Sequence, residues 1–387
     1  MHLAIIPESE QGVLMRRHEA EVQEAAQDVE RLLIVRLGSM GDVIHALPAA
    51  TLLRRAFPTA ILGWMIEERW AELLCAPDTP RAGVRCSGRP LLDAVQVVNT
   101  LAWRMAPFSD ETWKEAAAAW REMRAAKYQL AIDFQGTVRT ALMSRWTGSE
   151  VFAGFERPRE HAAGVFYSCT VEAGGTHVVE QNVALAAAIS GVPAEVPEIE
   201  FPIHPAAEAD CERRLQQLGA RQFALLNPGA GWEGKQWPPE RYGEVAQGLQ
   251  ALGLRSLVNF GPGEESLVRA VEAASSGTAT ALSCSVSELI AFTRRAQLFI
   301  GGDTGPMHLA AALHVPVVAL FGPTSPARNG PFGTRSMVLR SPLSSATDSA
   351  ERAAARSSRK RPDPGLMAIT ARDVLQAARK LLGSGLV

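Results

Sequence analysis

Short apolar runs of strand length, each followed by a turn and a helix-length stretch, recur from residue 31 almost to the end of the chain. Leu32-Leu33-Ile34-Val35 opens the series, Gly38 and Gly41 follow, and an Ala/Leu-rich stretch from about Asp42 to Phe57 has helical length. A continuous apolar run of this kind is buried on both faces, as in a parallel sheet covered by helices. Ile61 to Ile66, Ala94 to Val98 and Leu130 to Phe134 read as further strands, with an amphipathic helix from Glu111 to Ala126 between the last two. Strands alternating with helices imply a doubly wound α/β sheet.

The same grammar restarts in the second half, with strands at Phe223 to Asn227, Ser256 to Phe260, Leu298 to Ile300 and Val317 to Phe321. At 387 residues the chain exceeds the usual ~100–200 residues of one domain. A helix from about Val178 to Ser190 runs into the connector Gly191 to Pro197, so the boundary is placed between 190 and 205. The expected fold class is α/β, with two facing Rossmann-like domains built on parallel sheets, 30–198 and 199–387, and a ligand cleft at the carboxyl ends of the strands. Residues 1–29 read as an N-terminal extension and 341–363 as a mobile insertion, while a helix from Thr370 to Leu382 closes the chain.

Composition excludes several classes. With 47% hydrophobic and 21% charged residues the chain is an ordinary globular one, and a net charge of −2 offers no field for a nucleic-acid backbone. Five dispersed cysteines without a C-x-x-C pair argue for neither a zinc site nor a disulfide framework. No run approaches the ~20 apolar residues of a spanning helix, and Glu8, Glu10, Arg16, Arg17 and Glu19 stand where a secretory signal needs an apolar core. A cytoplasmic location is expected.

Three turns carry candidate chemistry. Gly301-Gly302-Asp303-Thr304-Gly305-Pro306-Met307-His308 joins a strand to a helix: Asp303 or Thr304 can cap it, and Gly305 lets a ligand approach the backbone. Such a helix N-terminus binds diphosphate, although a merely capped helix fits the same residues. Asn227-Pro228-Gly229-Ala230-Gly231-Trp232-Glu233-Gly234-Lys235 leaves N–H groups free to face anionic oxygens, and Lys235 can stabilise charge on a leaving diphosphate, or be a solvated lysine on a surface loop. Gly38-Ser39-Met40-Gly41-Asp42-Val43-Ile44-His45 follows the first strand and is neither a dinucleotide fingerprint nor a P-loop. Asp42 there is a candidate general base or a helix N-cap, with Ser39, Met40, Gly41 and His45 as candidate acceptor contacts. Glu264 and Glu265 can receive a ribose diol, and Arg139 and Arg159 can grip acceptor phosphates; solvated side chains are the alternative for all four.

Taken in order, Leu33-Ile34-Val35-Arg36, Ser39 to Pro48, Asp133-Phe134-Gln135-Gly136, Lys235-Gln236-Trp237-Pro238, Asp303 to Leu313 and Phe321-Gly322-Pro323-Thr324 resemble the family 9 glycosyltransferases, the ADP-heptose:lipopolysaccharide heptosyltransferases. The resemblance implies a GT-B fold and inverting transfer from ADP-L-glycero-β-D-manno-heptose, with no cofactor and no required metal. By it, Asp42 is the base, and Lys235 with Asp303, Thr304, Gly305 and His308 holds the donor diphosphate. Ala230 and Gly231 line the donor, Glu265 or, one step less well, Glu264 takes the ribose, and Cys284 packs near adenine. Arg139 and Arg159 face a lipid A–Kdo acceptor, which implies peripheral work at the inner face of the cytoplasmic membrane. Two other readings use the same plan: a sugar-nucleotide epimerase, and a catalytically inactive nucleotide-sugar-binding module.

Overall fold

The computed structural model describes residues 29–344 and 362–383. The expectations for an N-terminal extension and a mobile insertion fall almost wholly on residues 1–28 and 345–361, outside the described residues. The chain divides into two units at Pro202/Ile203.

In chain order the first unit comprises β1 (Arg31–Val35), α1 (Met40–Ala56), β2 (Ile61–Glu67), β3 (Ala94–Val98), α2 (Thr100–Met105), α3 (Asp110–Ala125), β4 (Leu130–Asp133), α4 (Val138–Trp146), β5 (Val151–Phe155), β6 (Cys169–Val171) and α5 (Val178–Ser190). The second comprises α6 (Pro205–Leu218), β7 (Phe223–Asn227), α7 (Pro239–Gln250), β8 (Arg255–Phe260), α8 (Glu265–Ala274), β9 (Ala279–Ser283), α9 (Val286–Arg295), β10 (Leu298–Gly302), α10 (Gly305–Ala312), β11 (Val317–Phe321), α11 (Pro326–Asn329), β12 (Ser336–Arg340), α12 (Pro364–Ala368) and α13 (Ala371–Gly383).

Both sheets are parallel throughout, ordered β3-β2-β1-β4-β5-β6 and β12-β11-β10-β7-β8-β9. Numbered within its own unit, each has the doubly wound order 3-2-1-4-5-6. In that order winding reverses between the first and fourth strands, so their outgoing loops part to opposite faces and leave a crevice at the carboxyl ends. The switch points are therefore β1/β4 in one unit and β7/β10 in the other, and every motif named above that follows one of these strands lies at one of them.

Why these runs are strands is visible in what they bury. In β7, Leu226 joins Ile300, Val318, Val245, Val271 and Val374 on one side of the sheet, while Leu225 joins Phe299, Val317, Cys211, Phe292 and Met307 on the other. Successive side chains point to opposite faces, and each buried aliphatic or phenyl group contributes about 1.5–3 kcal/mol of transfer free energy. A strand polar on either face would forfeit half of that. Helix ends follow local chemistry as well: α5 stops where Gly191 adopts φ 70°, the left-handed conformation glycine accepts without steric cost.

Candidate active site

At the β1/β4 switch point the Ser39–Asp42 turn starts α1. Asp42 occupies the third position of the helix, where its carboxylate accepts hydrogen bonds from Ser39 N (2.9 Å) and Ser39 Oγ (3.0 Å). Its other oxygen lies 2.6 Å from Arg36 Nη2. The Arg36 side chain is 8% exposed against 30% for Asp42, so the guanidinium sits behind the carboxylate and leaves one edge of it open to solvent. Burial alone would raise the Asp42 carboxyl. The Arg36 charge, the Ser39 hydrogen bonds and the more distant Arg159 charge outweigh it and hold the group below its ordinary value. The N-cap reading of Asp42 is corrected: Ser39 is the N-cap, and Asp42 supports the helix start from the third position with a partly exposed, ionised carboxylate.

The loop after β4 is fastened to the same place. Arg36 also donates to the Phe134 carbonyl, and Leu37 N donates to Gln135 Oε1 at 2.9 Å, which joins the β1 and β4 loops. Asp133, fully buried, accepts from Gln135 N (2.7 Å), Gly136 N (3.1 Å), Thr140 Oγ1 (2.9 Å) and Tyr167 Oη (3.0 Å). Gly136 takes φ 66°, and a Cβ there would stand 2.8 Å from Arg159 N. Gly136→Ala is therefore expected to cost about 1–3 kcal/mol of stability, read as a lower denaturant midpoint. An unchanged midpoint would show that this loop relaxes freely.

The candidate acceptor residues divide. Arg139 and Arg159 are exposed at this loop, Arg139 Nη1 donating to Thr100 Oγ1 at 3.1 Å. Ser39 is exposed, whereas Met40 and Gly41 are buried beneath the turn. His45 is buried where α1 meets α5: its carbonyl accepts from Asn182 Nδ2 (3.0 Å) and its ring packs edge-on to His177, 5.6 Å between centroids. The structure does not bring His45 to the surface with Ser39 and the arginines.

In the second unit, Trp237 is buried, with Nε1 donating to the Ile369 carbonyl at 3.0 Å, and it pins the glycine-rich loop that precedes it. Lys235, two residues earlier, is thereby held over β10, and a Cβ on Gly302 would lie 3.3 Å from the Lys235 carbonyl. Lys235 Nζ reaches Asp303 Oδ2 at 2.6 Å and the Asp303 carbonyl at 3.3 Å, while His308 Nε2 lies 3.1 Å from Asp303 Oδ1. Burial would raise the Asp303 carboxyl, but its hydrogen bond with His308 and the Lys235 charge together drive it far below the carboxylate range.

The capping expectation for this segment is met in position by Thr304 and not by a side-chain bond. Thr304 is the N-cap residue of α10 and makes no side-chain capping bond, and Asp303 spends its carboxylate on Lys235 and His308 instead. In the first turn of α10 Pro306 has no N–H, and Met307 N and His308 N donate to the Thr304 carbonyl, so Gly305 N is the amide that stands outside these bonds.

Donor-side candidates gather along the strand ends. Asn227 Nδ2 donates to the Gly229 carbonyl (3.0 Å) and to Thr304 Oγ1 (3.5 Å), and Asn259 Nδ2 donates to Asn227 Oδ1 (2.7 Å). Cys284 Sγ donates to Asn259 Oδ1 at 3.5 Å, and burial pushes this thiol up to about 12, so it is a neutral, packing group. A chain of polar contacts thus connects the ends of β7, β8 and β9. Of the two glutamates it is Glu264 that turns inward: Oε2 accepts from Gly261 N at 2.8 Å, and a Cβ on Gly229 would be 2.1 Å from its Oε1. Glu265 is exposed and takes local backbone hydrogen bonds, from its own N–H and from Gly263 N at 3.2 Å. Ala230 is half-buried and Gly231 exposed on the same loop. Arg36, Asn227 and Asn259 received no role from the sequence; a polar residue closing or interrupting an otherwise apolar strand run was the available signal.

Among the described residues no three His, Cys, Asp or Glu side chains gather where they could hold a metal ion. Nor is any described helix long and apolar enough to cross a membrane.

Comparison with known proteins gives these features a family. The sequence profile of glycosyltransferase family 9 (heptosyltransferase) matches residues 116–357. Lipopolysaccharide heptosyltransferase 1 of Pseudomonas aeruginosa is 30% identical over 317 residues, 78% of this chain and 81% of that protein. The E. coli heptosyltransferase WaaC, solved with ADP, superposes with a TM-score of 0.70 at 26% identity, covering 91% of this chain and 99% of that one. A family 9 glycosyl transferase from Veillonella parvula, 20% identical, shares the fold with a TM-score of 0.76 over 92% of this chain and 98% of its own. The chain belongs to glycosyltransferase family 9, the heptosyltransferases, and is a glycosyltransferase of the GT-B fold class.

Proposed function

We propose that this enzyme moves heptose from ADP-L-glycero-β-D-manno-heptose to the Kdo/inner-core region of lipopolysaccharide, with inversion and without a required metal ion. The observation that carries the reading is the coincidence, at the β7/β10 switch point, of an anchored ammonium (Lys235) and an α10 N-terminus without a side-chain cap. Together they would offer an ammonium, oriented by its ion pair with Asp303, and a helix-end amide to a departing diphosphate, the task a divalent cation performs in other transferases. The likeness to a lipopolysaccharide heptosyltransferase and to a heptosyltransferase solved with ADP supports the acceptor class and the adenine nucleotide.

In this mechanism an acceptor hydroxyl oxygen attacks the anomeric carbon while the bond from that carbon to the diphosphate oxygen breaks. The electron pair leaves on ADP, toward Lys235 and Gly305 N at the start of α10, and the hydroxyl proton passes to Asp42. A carboxylate held low by Arg36 is a weak base toward a free alcohol, so it takes the proton late, once C–O bond formation has acidified the hydroxyl. Glu264 is the better placed of the two glutamates for a ribose diol, and Arg139 and Arg159 are the cations for acceptor phosphate. The work is peripheral, at the inner face of the cytoplasmic membrane.

Mass spectrometry of lipid A–Kdo incubated with the enzyme and a panel of nucleotide sugars tests this directly. The expected result is one added heptose and ADP released only when acceptor is present. Isomerised nucleotide sugar without ADP release would establish an epimerase, and no turnover of any donor would leave a binding module.

The Arg36–Asp42 pair also sets a pH dependence. A carboxyl held low stays ionised to more acid pH than a free one, and activity that needs the carboxylate is lost as pH falls through its pKa. Arg36→Gln removes the main lowering charge, so the acid limb of kcat/KM against pH is expected to move to higher pH. A limb that stays in place would show that Asp42 is not the titrating group.

A further inference from the structure

Leu101, Met105, Phe108, Trp113 and Trp120, all on α2, α3 and the turn between them, are exposed; Phe108 is 94%, Met105 81% and Trp113 65% accessible. Helix α3 rests on its unit by a narrow ledge, with Met123 buried and Thr112, Ala116 and Ala119 half-buried. Nothing in that packing calls for two tryptophans elsewhere on the helix, and exposed apolar surface of this extent marks an interaction site.

The charges around the tryptophans are sorted. At about 100° per residue, Trp113 and Trp120 share one stripe of α3, with Arg124 close beside it and Lys114 and Arg121 on its outer flank. Glu111, Glu115 and Glu122 fall on the opposite side, and Asp110 in the first turn is the acid on the tryptophan side. A stripe of indole rings edged by cations matches a bilayer interface, where aromatic rings settle at headgroup depth and Lys/Arg meet anionic lipid. A second copy of the chain packed symmetrically on this face would set the same cations against each other. Helix α2 is also tied to the candidate acceptor loop, because Thr100, its buried first residue, accepts the hydrogen bond from Arg139.

We propose that the α2–α3 surface is the face by which the enzyme seats on an anionic lipid bilayer, with Trp113 and Trp120 in the headgroup layer. The inference rests on the lipid-linked acceptor of the proposed function and names the surface that would meet its membrane.

Co-sedimentation of the full chain with phosphatidylcholine vesicles, with and without phosphatidylglycerol, tests it. Trp113→Ser with Trp120→Ser is expected to lower the partition coefficient roughly tenfold or more on vesicles containing phosphatidylglycerol. Lys114→Glu with Arg121→Glu, surface changes that leave the α3 ledge intact, should abolish the preference for phosphatidylglycerol and the salt dependence of binding. Transfer to a deacylated, water-soluble acceptor should be unchanged in both variants, while transfer to acceptor embedded in vesicles falls with binding. Vesicle binding equal to wild type in both variants would overturn the proposal. So would retained vesicle binding with loss of self-association in sedimentation velocity, which would assign the surface to a second copy. If the wild-type chain fails to act on the soluble acceptor while the variants still lose vesicle binding, the surface assignment stands and the transfer reading falls.

Discussion

Asp42→Asn is expected to lower kcat by about 10²–10⁴-fold while leaving ADP affinity unchanged. Asparagine keeps an oxygen that can accept from Ser39 N, so α1 still starts at the same turn, but it has no charge for Arg36 and cannot take a proton. Loss confined to kcat, with the ADP dissociation constant measured by calorimetry held steady, is the signature of an interaction made only in the transition state. Turnover within about twofold of wild type would place the base on another residue.

Lys235→Ala should be the second large effect, a fall of about 10²–10³-fold in kcat/KM accompanied by weaker ADP binding. Unlike Asp42, Lys235 meets the nucleotide before and during bond breaking in the proposed mechanism, so both parameters are expected to move. Lys235→Arg would not restore activity in full: the 2.6 Å contact with Asp303 is fitted to a compact ammonium, and a planar guanidinium at this depth would displace the Asp303–His308 contact. If Lys235→Ala retained wild-type ADP affinity and rate, the charge that receives the diphosphate would have to come from elsewhere.

The two-unit α/β plan was legible because most strands of both sheets are short, mainly apolar runs separated by helix-length stretches. Ala94–Val98, Phe223–Asn227 and Val317–Phe321 coincide with their sequence reading, as does the Val178–Ser190 helix. Four strands went unread, and each has a physical reason. β6 is three residues long, β9 is Ala-Thr-Ala-Leu-Ser with little β preference, and β5 contains Gly154 against Tyr167. β12, at the edge of its sheet, is half-buried or exposed along its length and carries no buried run. These strands owe their place to neighbours already in the sheet, which short-range pattern does not report.

For the candidate site, sequence singled out charged members but not the contacts between them. Spacing along the chain marked Asp42, Lys235 and Asp303, but Arg36 as the partner of Asp42 needs the geometry of a helix start folded back on the strand before it. The choice between Glu264 and Glu265 turned on one residue of register at the start of α8, which decides which carboxylate faces Gly229. His45 shows the converse. In sequence it shares a motif with Ser39, yet six residues of helix carry it round into the packing against α5.

The repeated strand order means that each half of the chain completes its own ion-paired corner beside its switch point: Arg36 and Asp42 in one, Lys235 and Asp303 in the other. On the proposed assignment, what is recognised as acceptor and what is spent as donor are written in separate lengths of polypeptide. Substitutions that retune one preference therefore leave the scaffolding of the other untouched, and a single framework can serve many pairings of sugar and recipient.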